Sequence, residues 1–316
     1  MPGDWITPTD CAQLGDRLER AIRKLKTLRV RIPDSSRLAR SVGSLRDLRG
    51  REEFQNDKKN LLLLARAVID ARDLSQIADC LSDQASGIII SELNRLAKGT
   101  TQRSEGVNSA YQLQSQYVVG ATLAYSGVQP LVPNPNEQAR PDFLVSNGSS
   151  FVGVEVKRPT NSRSAPKLLR KARKQISHTK KTGCGVVLDL SDCLLEKGAL
   201  FDTDDETESE STTSVQGEFH ALTSLLERTV MENGRFKEGF PSGGMFLCMT
   251  ARYPRWKFSD LSGFRVMEQV KGVVFWTRPA GTLAHRRSEW LRTQFLHGLT
   301  EAGFEVVESS FEPGQH

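Results

Sequence analysis

Two carboxylates and one lysine lie close together in the middle of the chain. Asp142 begins one apolar run, and Glu155 and Lys157 stand on either side of Val156 at the end of the next. Side chains alternate along a strand, so Glu155 and Lys157 would share one face. The polar turn at 146–149 would pair the two runs as a hairpin and bring Asp142 beside Glu155. The sequence therefore predicts two carboxylates and one ammonium at one sheet edge.

This set of groups suits hydrolysis of a phosphodiester bond. Carboxylate oxygens are the hard ligands that Mg²⁺ prefers, and Mg²⁺ lowers the pKa of a bound water. The backbone carbonyl of Val156, between the two functional side chains, is a further candidate ligand. Lys157 would orient or deprotonate the attacking water and stabilise charge in the transition state. We therefore predict Asp142, Glu155 and Val156 as metal ligands and Lys157 as a catalytic residue.

The surrounding segments alternate between helix and strand patterns. Their order is helix, three strands, helix and strand, at 108–125, 128–132, 142–145, 151–156, 164–179 and 185–190. Further patterns follow toward the C-terminus: a helix near 218–232, strands near 245–249 and 272–276, a helix at 287–302 and a strand at 304–307. This alternation predicts an α/β domain with a mixed central sheet flanked by helices.

The motif and the element order together resemble one family. Pro141-Asp142, twelve intervening residues and Glu155-Val156-Lys157 are similar to the signature of the PD-(D/E)XK nuclease superfamily. The resemblance covers roughly residues 108–190 and implies the restriction-endonuclease-like fold with its αβββαβ core. It also implies Asp142 and Glu155 as metal ligands, Lys157 as the catalytic lysine, and Gln175 on the following helix as a further active-site residue.

One position departs from that family. Many members carry a glutamate on the first core helix, but the comparable stretch here offers only Gln112, Gln114 and Gln116. Gln116 fits the usual offset best and is the candidate auxiliary residue. A neutral amide there would weaken a second metal site, which favours one-metal chemistry.

The segment after the motif is strongly basic. Residues 157–181 contain ten Lys or Arg and no Asp or Glu. Basic stretches favour phosphate-rich partners, although the same charges also suit the solvated face of an amphipathic helix. The candidate nucleic-acid contacts are Arg158, Lys167, Arg170, Lys171 and Lys174. We expect nucleic acid as the partner, DNA rather than RNA.

The sequence predicts two domains. Residues 1–100 read as an all-helical accessory region, with helix patterns at 12–28, 59–71, 74–81 and 86–97. These helices would contact nucleic acid, or form a homodimer or bind a partner protein, and the sequence does not choose between these roles. Residues 104–316 would form the nuclease-like domain, and the acidic segment 202–211 is expected to be a disordered loop.

Composition excludes several classes of protein. Five cysteines without a CxxC pair argue against a disulfide framework and a zinc site, and the five histidines are equally dispersed. No apolar run is long enough to cross a membrane, and the N-terminus has no signal-peptide pattern. We expect a cytoplasmic protein without membrane contact.

These observations predict a Mg²⁺-dependent endonuclease, with Mn²⁺ able to substitute, in a defence, restriction or mobile-element setting. One alternative is a nucleic-acid-binding protein that keeps the fold but does not cleave, which the missing helix glutamate favours. A second alternative keeps the chemistry and changes the substrate to RNA or a branched junction.

Overall fold

A computed structural model of the chain describes residues 5–6, 8–46, 58–81, 87–99, 110–132, 141–148, 150–161, 163–176, 183–196, 224, 246–259, 263–276, 283–303 and 305–308. Two compact units are present. The first comprises Met1–Val118, Leu194–Gln216 and Arg252–Gln269, and the second comprises Val119–Cys193, Gly217–Ala251 and Val270–His316. This division differs from a single boundary near residue 100, because two later segments belong to the first unit.

The first unit is built mainly from helices. They are α1 (Pro8–Thr27), α2 (Arg37–Arg46), α3 (Lys58–Cys80), α4 (Gly87–Ala97) and the first part of α5 (Ala110–Tyr125). The described N-terminal residues are not entirely helical, because Trp5–Ile6 forms the short strand β1. The helices α1, α2 and α3 pack on one another around buried leucines, isoleucines and alanines at helical spacing.

Helix α3 is continuous, although the sequence pattern predicts two helices at 59–71 and 74–81. That prediction is wrong because Arg72 and Asp73, at the expected break, allow helical backbone and no Gly or Pro interrupts the segment. Asp73 is buried within the unit. A buried polar residue at this point therefore disturbs the apolar pattern without ending the helix.

A five-stranded mixed sheet forms the centre of the second unit. Its strands follow the order β2-β3-β4-β5-β6, with antiparallel pairing from β2 to β4 and parallel pairing from β4 to β6. The strands are β2 (Pro130–Leu131), β3 (Phe143–Asn147), β4 (Ser150–Lys157), β5 (Cys184–Asp189) and β6 (Phe246–Ser259). The predicted α/β architecture with a mixed sheet is confirmed, and α5-β2-β3-β4-α6-β5 follows the predicted order.

The remaining elements complete the two units. They are α6 (Ala165–Ile176), α7 (Ser191–Glu196), β7 (Gly263–Trp276), α8 (Leu283–Glu301) and β8 (Glu305–Glu308). In the second unit β7 pairs in parallel with β8, and in the first unit it pairs antiparallel with β1.

The β3–β4 hairpin fixes the register of the two strands that matter most. Gly148 adopts a φ of 61°, a left-handed backbone conformation that glycine accepts without strain. Pairing continues up to Asn147↔Ser150, so the turn is shorter than the predicted segment 146–149. At the other end, the last pair is Phe143↔Val154.

The two faces of the sheet are covered differently. Val152, Val154 and Val156 of β4 share one hydrophobic cluster with residues of α5 and α8, among them Leu123, Leu291, Phe295 and Leu299. Helix α6 packs against β4 and β5 without contributing to that cluster. It therefore lies on the opposite face, toward which the alternate residues of β4 point.

Two sequence predictions lie outside the described residues. The acidic segment 202–211 is one, and the predicted helix near 218–232 is the other apart from Ser224, which is helical. Within the part of the chain that the structure describes, no helix is both long and apolar enough to cross a membrane.

Gly298 allows α8 to approach α5 closely. A Cβ there would overlap the backbone carbonyl oxygen of Thr122, which cannot move without shifting the helix. We therefore expect Gly298→Ala to lower the free energy of unfolding by about 1–3 kcal/mol despite the better helix propensity of alanine. Thermal unfolding measures this change.

The matched control is Gly43→Ala in α2, where a new Cβ would meet nothing within 4 Å. It should be neutral or slightly stabilising, because alanine restricts the unfolded chain. Equal effects of the two substitutions would refute the close approach at Gly298.

Candidate active site

The structure brings Asp142, Glu155 and Lys157 together. One step beyond the pair Phe143↔Val154, the antiparallel register sets Asp142 opposite Glu155. Glu155 and Lys157 are two residues apart on β4 and therefore point to the same face. The three side chains are close because of the hairpin register and not because of any loop.

Lys157 connects the two carboxylates. Its Nζ donates a hydrogen bond to Glu155 Oε1 and lies 3.9 Å from Asp142 Oδ2. The side chains of Glu155 and Lys157 are 0% and 4% exposed, whereas that of Asp142 is 17% exposed. Solvent and ligands therefore reach the group from the side of Asp142.

The Asp142 carboxylate also extends the sheet. Its Oδ2 accepts a hydrogen bond from the backbone N–H of Val156 at 2.7 Å, after the backbone pairing between β3 and β4 has ended. The N–H and C=O of one strand residue point to the same side. The Val156 carbonyl is therefore directed to the side of the strand on which Asp142 lies.

The surroundings of Glu155 disfavour its charged form. Burial, and next the negative charge of Asp142, raise the pKa of Glu155 from 4.5 to about 8, although Lys157 partly opposes the shift. Glu155 Oε2 is buried and finds no hydrogen-bond partner among the residues that the structure describes. Unsatisfied buried acceptors are costly, and each one in a folded protein needs an explanation.

These features fit a divalent metal ion. The candidate ligand atoms are the oxygens of Asp142, Oε2 of Glu155 and the carbonyl oxygen of Val156, which are hard ligands of the type that Mg²⁺ binds. No cluster of three or more His, Cys, Asp or Glu side chains occurs among the described residues. Water would therefore complete the coordination of an ion held here.

Gln175 and Gln116 have different positions. Gln175 lies on α6, which packs against β4 and β5, and its Oε1 is buried without a hydrogen-bond partner among the described residues. Its amide oxygen therefore does not bind Lys157. Gln116 is half-buried on the part of α5 that belongs to the first unit, and its auxiliary role stays a prediction.

Arg158 requires a correction. The sequence suggests a contact with nucleic acid, but the side chain is buried and its Nε donates to Asp192 Oδ2 at 3.0 Å. Nη2 donates to Asp192 Oδ1 at 3.3 Å, and Nη1 lies 3.4 Å from Asp189 Oδ2. The guanidinium is therefore paired inside the protein and does not face a phosphate backbone.

Asp189 and Asp192 were not predicted from sequence. They lie where β5 ends and α7 begins, and Asp189 Oδ1 accepts a hydrogen bond from the Ser191 N–H at 3.0 Å. Arg158 thus joins the end of β4 to the end of β5, directly after Lys157. The signal that could have found them in the sequence is the presence of acidic residues at the end of an apolar strand. Their partner Arg158 is remote in sequence, so the pairing itself could not be predicted.

The other predicted contacts lie on the surface of α6. Lys167, Arg170, Lys171 and Lys174 are exposed, whereas Leu169, Ala172 and Ile176 on the same helix are buried. This amphipathic arrangement leaves the four cationic side chains accessible. The arrangement is consistent both with a solvated helix face and with a surface that binds the phosphates of a nucleic acid.

No protein-family model, curated protein or solved structure matched this chain in our comparisons.

The raised pKa of Glu155 makes stability depend on pH. Between about pH 4.5 and pH 8 the folded metal-free protein retains a proton that the unfolded chain releases, so its free energy of unfolding falls as pH rises. Glu155→Gln removes this dependence. We expect it to raise the melting temperature in EDTA near pH 8, by about 2–4 °C for each kcal/mol regained, and to change little near pH 4.

The control is Glu301→Gln, which alters an exposed carboxyl of α8. This substitution should leave unchanged the difference in melting temperature between pH 4 and pH 8. If Glu155→Gln instead lowered the melting temperature near pH 8, the raised pKa would be refuted.

Proposed function

We propose that this protein is a Mg²⁺-dependent endonuclease of the PD-(D/E)XK type on a restriction-endonuclease-like fold. The observation that carries the proposal is the register that sets Asp142 opposite Glu155, with Lys157 between them and with no partner for Glu155 Oε2 in the described part of the chain. The element order α5-β2-β3-β4-α6-β5 supports it, because the same order positions the motif in that family.

Asp142, Glu155 and the Val156 carbonyl would hold Mg²⁺ or Mn²⁺. When bound, the ion would neutralise part of the charge on the phosphate and lower the pKa of a bound water. Glu155 would serve as a ligand in its ionised form, so metal binding would have to displace the proton that its raised pKa, about 8, favours below that pH. Asp142 keeps its backbone hydrogen bond through Oδ2, which fixes the orientation of its other oxygen.

Lys157 contributes a positioned positive charge. Its ammonium is buried, bonded to Glu155 and 3.9 Å from Asp142, so it needs little reorganisation to face a charged phosphate. It would orient the attacking water. Arg158 is a positioning residue, because its pairing with Asp192 holds the backbone next to Lys157.

The exposed basic face of α6 would contact the substrate. Its four accessible cations would bind backbone phosphates, which gives affinity without sequence preference. Helix α6 is the next element after β4 and packs against it, so we expect a nucleic-acid strand bound to its exposed face to run close to the catalytic group. DNA is the substrate that we propose, and RNA or a branched junction is the alternative.

The direct test is incubation of the purified protein with supercoiled plasmid, linear duplex, single-stranded DNA and RNA, with Mg²⁺ or with EDTA. An endonuclease converts supercoiled plasmid to open circles or linear molecules only in the presence of the metal. Binding of the plasmid without cleavage would favour the non-cleaving nucleic-acid-binding protein.

The roles within the catalytic group are separable. Lys157→Met removes the ammonium and keeps the buried stem, so we expect a cleavage rate lower by about 100-fold or more with Mn²⁺ binding largely retained. Asp142→Asn and Glu155→Gln should weaken Mn²⁺ binding and cleavage together, because each removes a ligand charge. Single-turnover rates and Mn²⁺ paramagnetic resonance measure the two quantities.

Asn at position 142 keeps an acceptor for the Val156 N–H, so loss of metal binding in this variant does not reflect unfolding. Cleavage by Lys157→Met at the parental rate would exclude Lys157 from the mechanism.

The basic face of α6 gives a further prediction. Lys171→Glu combined with Lys174→Glu should weaken DNA binding in EDTA and flatten its dependence on salt, because fewer counterions are released. The matched control is Lys26→Glu combined with Lys98→Glu, which reverses the charge of two exposed lysines of the first unit. Fluorescence anisotropy at several salt concentrations makes the comparison, and equal losses in both double variants would show non-specific charge repulsion alone.

A further inference from the structure

The sheet of the second unit has a second feature on the face that carries the catalytic group. The register sets Leu131 of β2 opposite Leu144 of β3. It also sets Ser146 of β3 opposite Phe151 of β4, and residues directly opposite one another share a face. Phe151 precedes Glu155 by four residues on β4, so both point to the same side. The apolar strip, defined as Leu131, Leu144, Ser146 and Phe151, therefore lies on the face of Glu155.

Two large apolar side chains of the apolar strip are open to solvent. Phe151 is 46% exposed and Leu131 is 49% exposed, while Leu144 beside them is half-buried. Among the residues that the structure describes, the hydrophobic cluster on the other face of the sheet includes none of these three. Apolar surface left in water favours a ligand that removes it from water.

The apolar strip adjoins the accessible side of the catalytic group. Asp142, just before β3, is followed at intervals of two residues by Leu144 and Ser146, so the three share one face. Asp142 is the member of the catalytic group that solvent reaches. The four residues from Phe151 to Glu155 correspond to about 13 Å of strand. A ligand with one end at the catalytic group can therefore extend over the apolar strip to Phe151.

The apolar strip and helix α6 offer a ligand different chemistry. Strands β2 and β3 and residues 150–154 of β4 contain no charged residue. Helix α6 packs against β4 and β5 on the same face of the sheet, and its outer surface carries exposed lysines and arginines. Proteins bind single strands of nucleic acid with a cationic surface for the phosphates and aromatic side chains on which the bases stack. This face of the sheet presents both.

The area of the apolar strip limits its occupant. Phe151 and Leu131 are each about half exposed, and full burial of an aromatic side chain removes about 150–250 Å² from water, so the apolar strip offers on the order of 200 Å². A stable protein interface takes about 800 Å² from each partner. The apolar strip is therefore too small to hold a protein partner by itself and matches the flat face of a base.

We propose that Phe151 stacks on an unpaired base of a nucleic-acid strand, on a surface completed by Leu131 and Leu144. The proposal rests on the nuclease function proposed above and names its substrate class, a strand with unpaired nucleotides near the bond to be cut. A stacked strand advances about 3.4 Å per nucleotide, so the base on Phe151 lies up to about four nucleotides from that bond. An intact duplex keeps the faces of its bases inside the stack and does not use Phe151.

Binding of oligonucleotides to the full-length protein in EDTA tests the proposal without cleavage. We expect Phe151→Ala to weaken the binding of single-stranded DNA about 10-fold or more, as for the loss of one stack between a base and an aromatic ring. The binding of a blunt duplex and of an abasic strand of the same length should not change, because neither presents an unpaired base. Fluorescence anisotropy measures the three affinities.

Two further variants separate stacking from folding. Phe151→Trp keeps an aromatic face and should retain or raise the affinity for the single strand. Leu283→Ala shortens a side chain that is 53% exposed at the start of α8, outside the apolar strip, and should leave all three affinities unchanged. The proposal is overturned if Phe151→Ala binds the single strand as tightly as the parent, or weakens the abasic strand equally.

The source of the base and the competing occupant have separate readouts. A loss in Phe151→Ala that is confined to single-stranded DNA supports the stacking site with DNA as its ligand, and a loss confined to RNA supports it with RNA. Equal losses support a site that accepts both. Sedimentation without nucleic acid tests the other occupant, because a dimer that Phe151→Ala converts to a monomer would show that the apolar strip joins two copies and would overturn the proposal.

These outcomes are distinct from failure of the proposed function. If plasmid is cleaved with Mg²⁺ but Phe151→Ala binds single strands like the parent, the endonuclease stands and the stacking site is rejected. If Phe151→Ala selectively loses single-strand binding but no substrate is cleaved, the stacking site stands within a non-cleaving nucleic-acid-binding protein.

Discussion

One hydrogen bond, from the backbone N–H of Val156 to the carboxylate of Asp142, organises the second unit around its chemistry. The backbone ladder between β3 and β4 ends at Phe143↔Val154, and this side chain continues it by one further bond. The bond fixes the orientation of the Asp142 carboxylate beside Glu155 and on the side of β4 to which the Val156 carbonyl points. It can form only because the hairpin register sets Asp142 opposite Glu155.

Two buried pairs adjoin that bond. Glu155 and Lys157 face one another on β4, and the next residue, Arg158, pairs with Asp192 at the start of α7. Loss of Asp192 would leave the buried guanidinium of Arg158 without its partner, which is strongly destabilising. The Arg158–Asp192 pair therefore ties the end of β4 to the start of α7, directly beside Lys157.

Sequence patterns predicted the elements of the second unit well, because apolar runs, a polar turn and alternation are local signals. The hairpin placed Asp142 opposite Glu155 for the same reason. Arg158 was misassigned because its partners, Asp189 and Asp192, are over thirty residues away and only the parallel pairing of β4 with β5 brings them near. The network of Arg37, Asp70 and Gln114 was missed on similar grounds, since its members come from three separate helices.

The double use of Asp142 has an evolutionary consequence. An amide at this position can accept the same backbone hydrogen bond, so exchange of one oxygen for a nitrogen removes the ligand charge while the strand pairing survives. Such a change can arise by mutation of a single codon base and carries little penalty in folding. If the proposed activity is that of this architecture, a lineage can therefore lose catalysis and persist as a folded protein, so that inactive descendants are easy to reach and easy to retain.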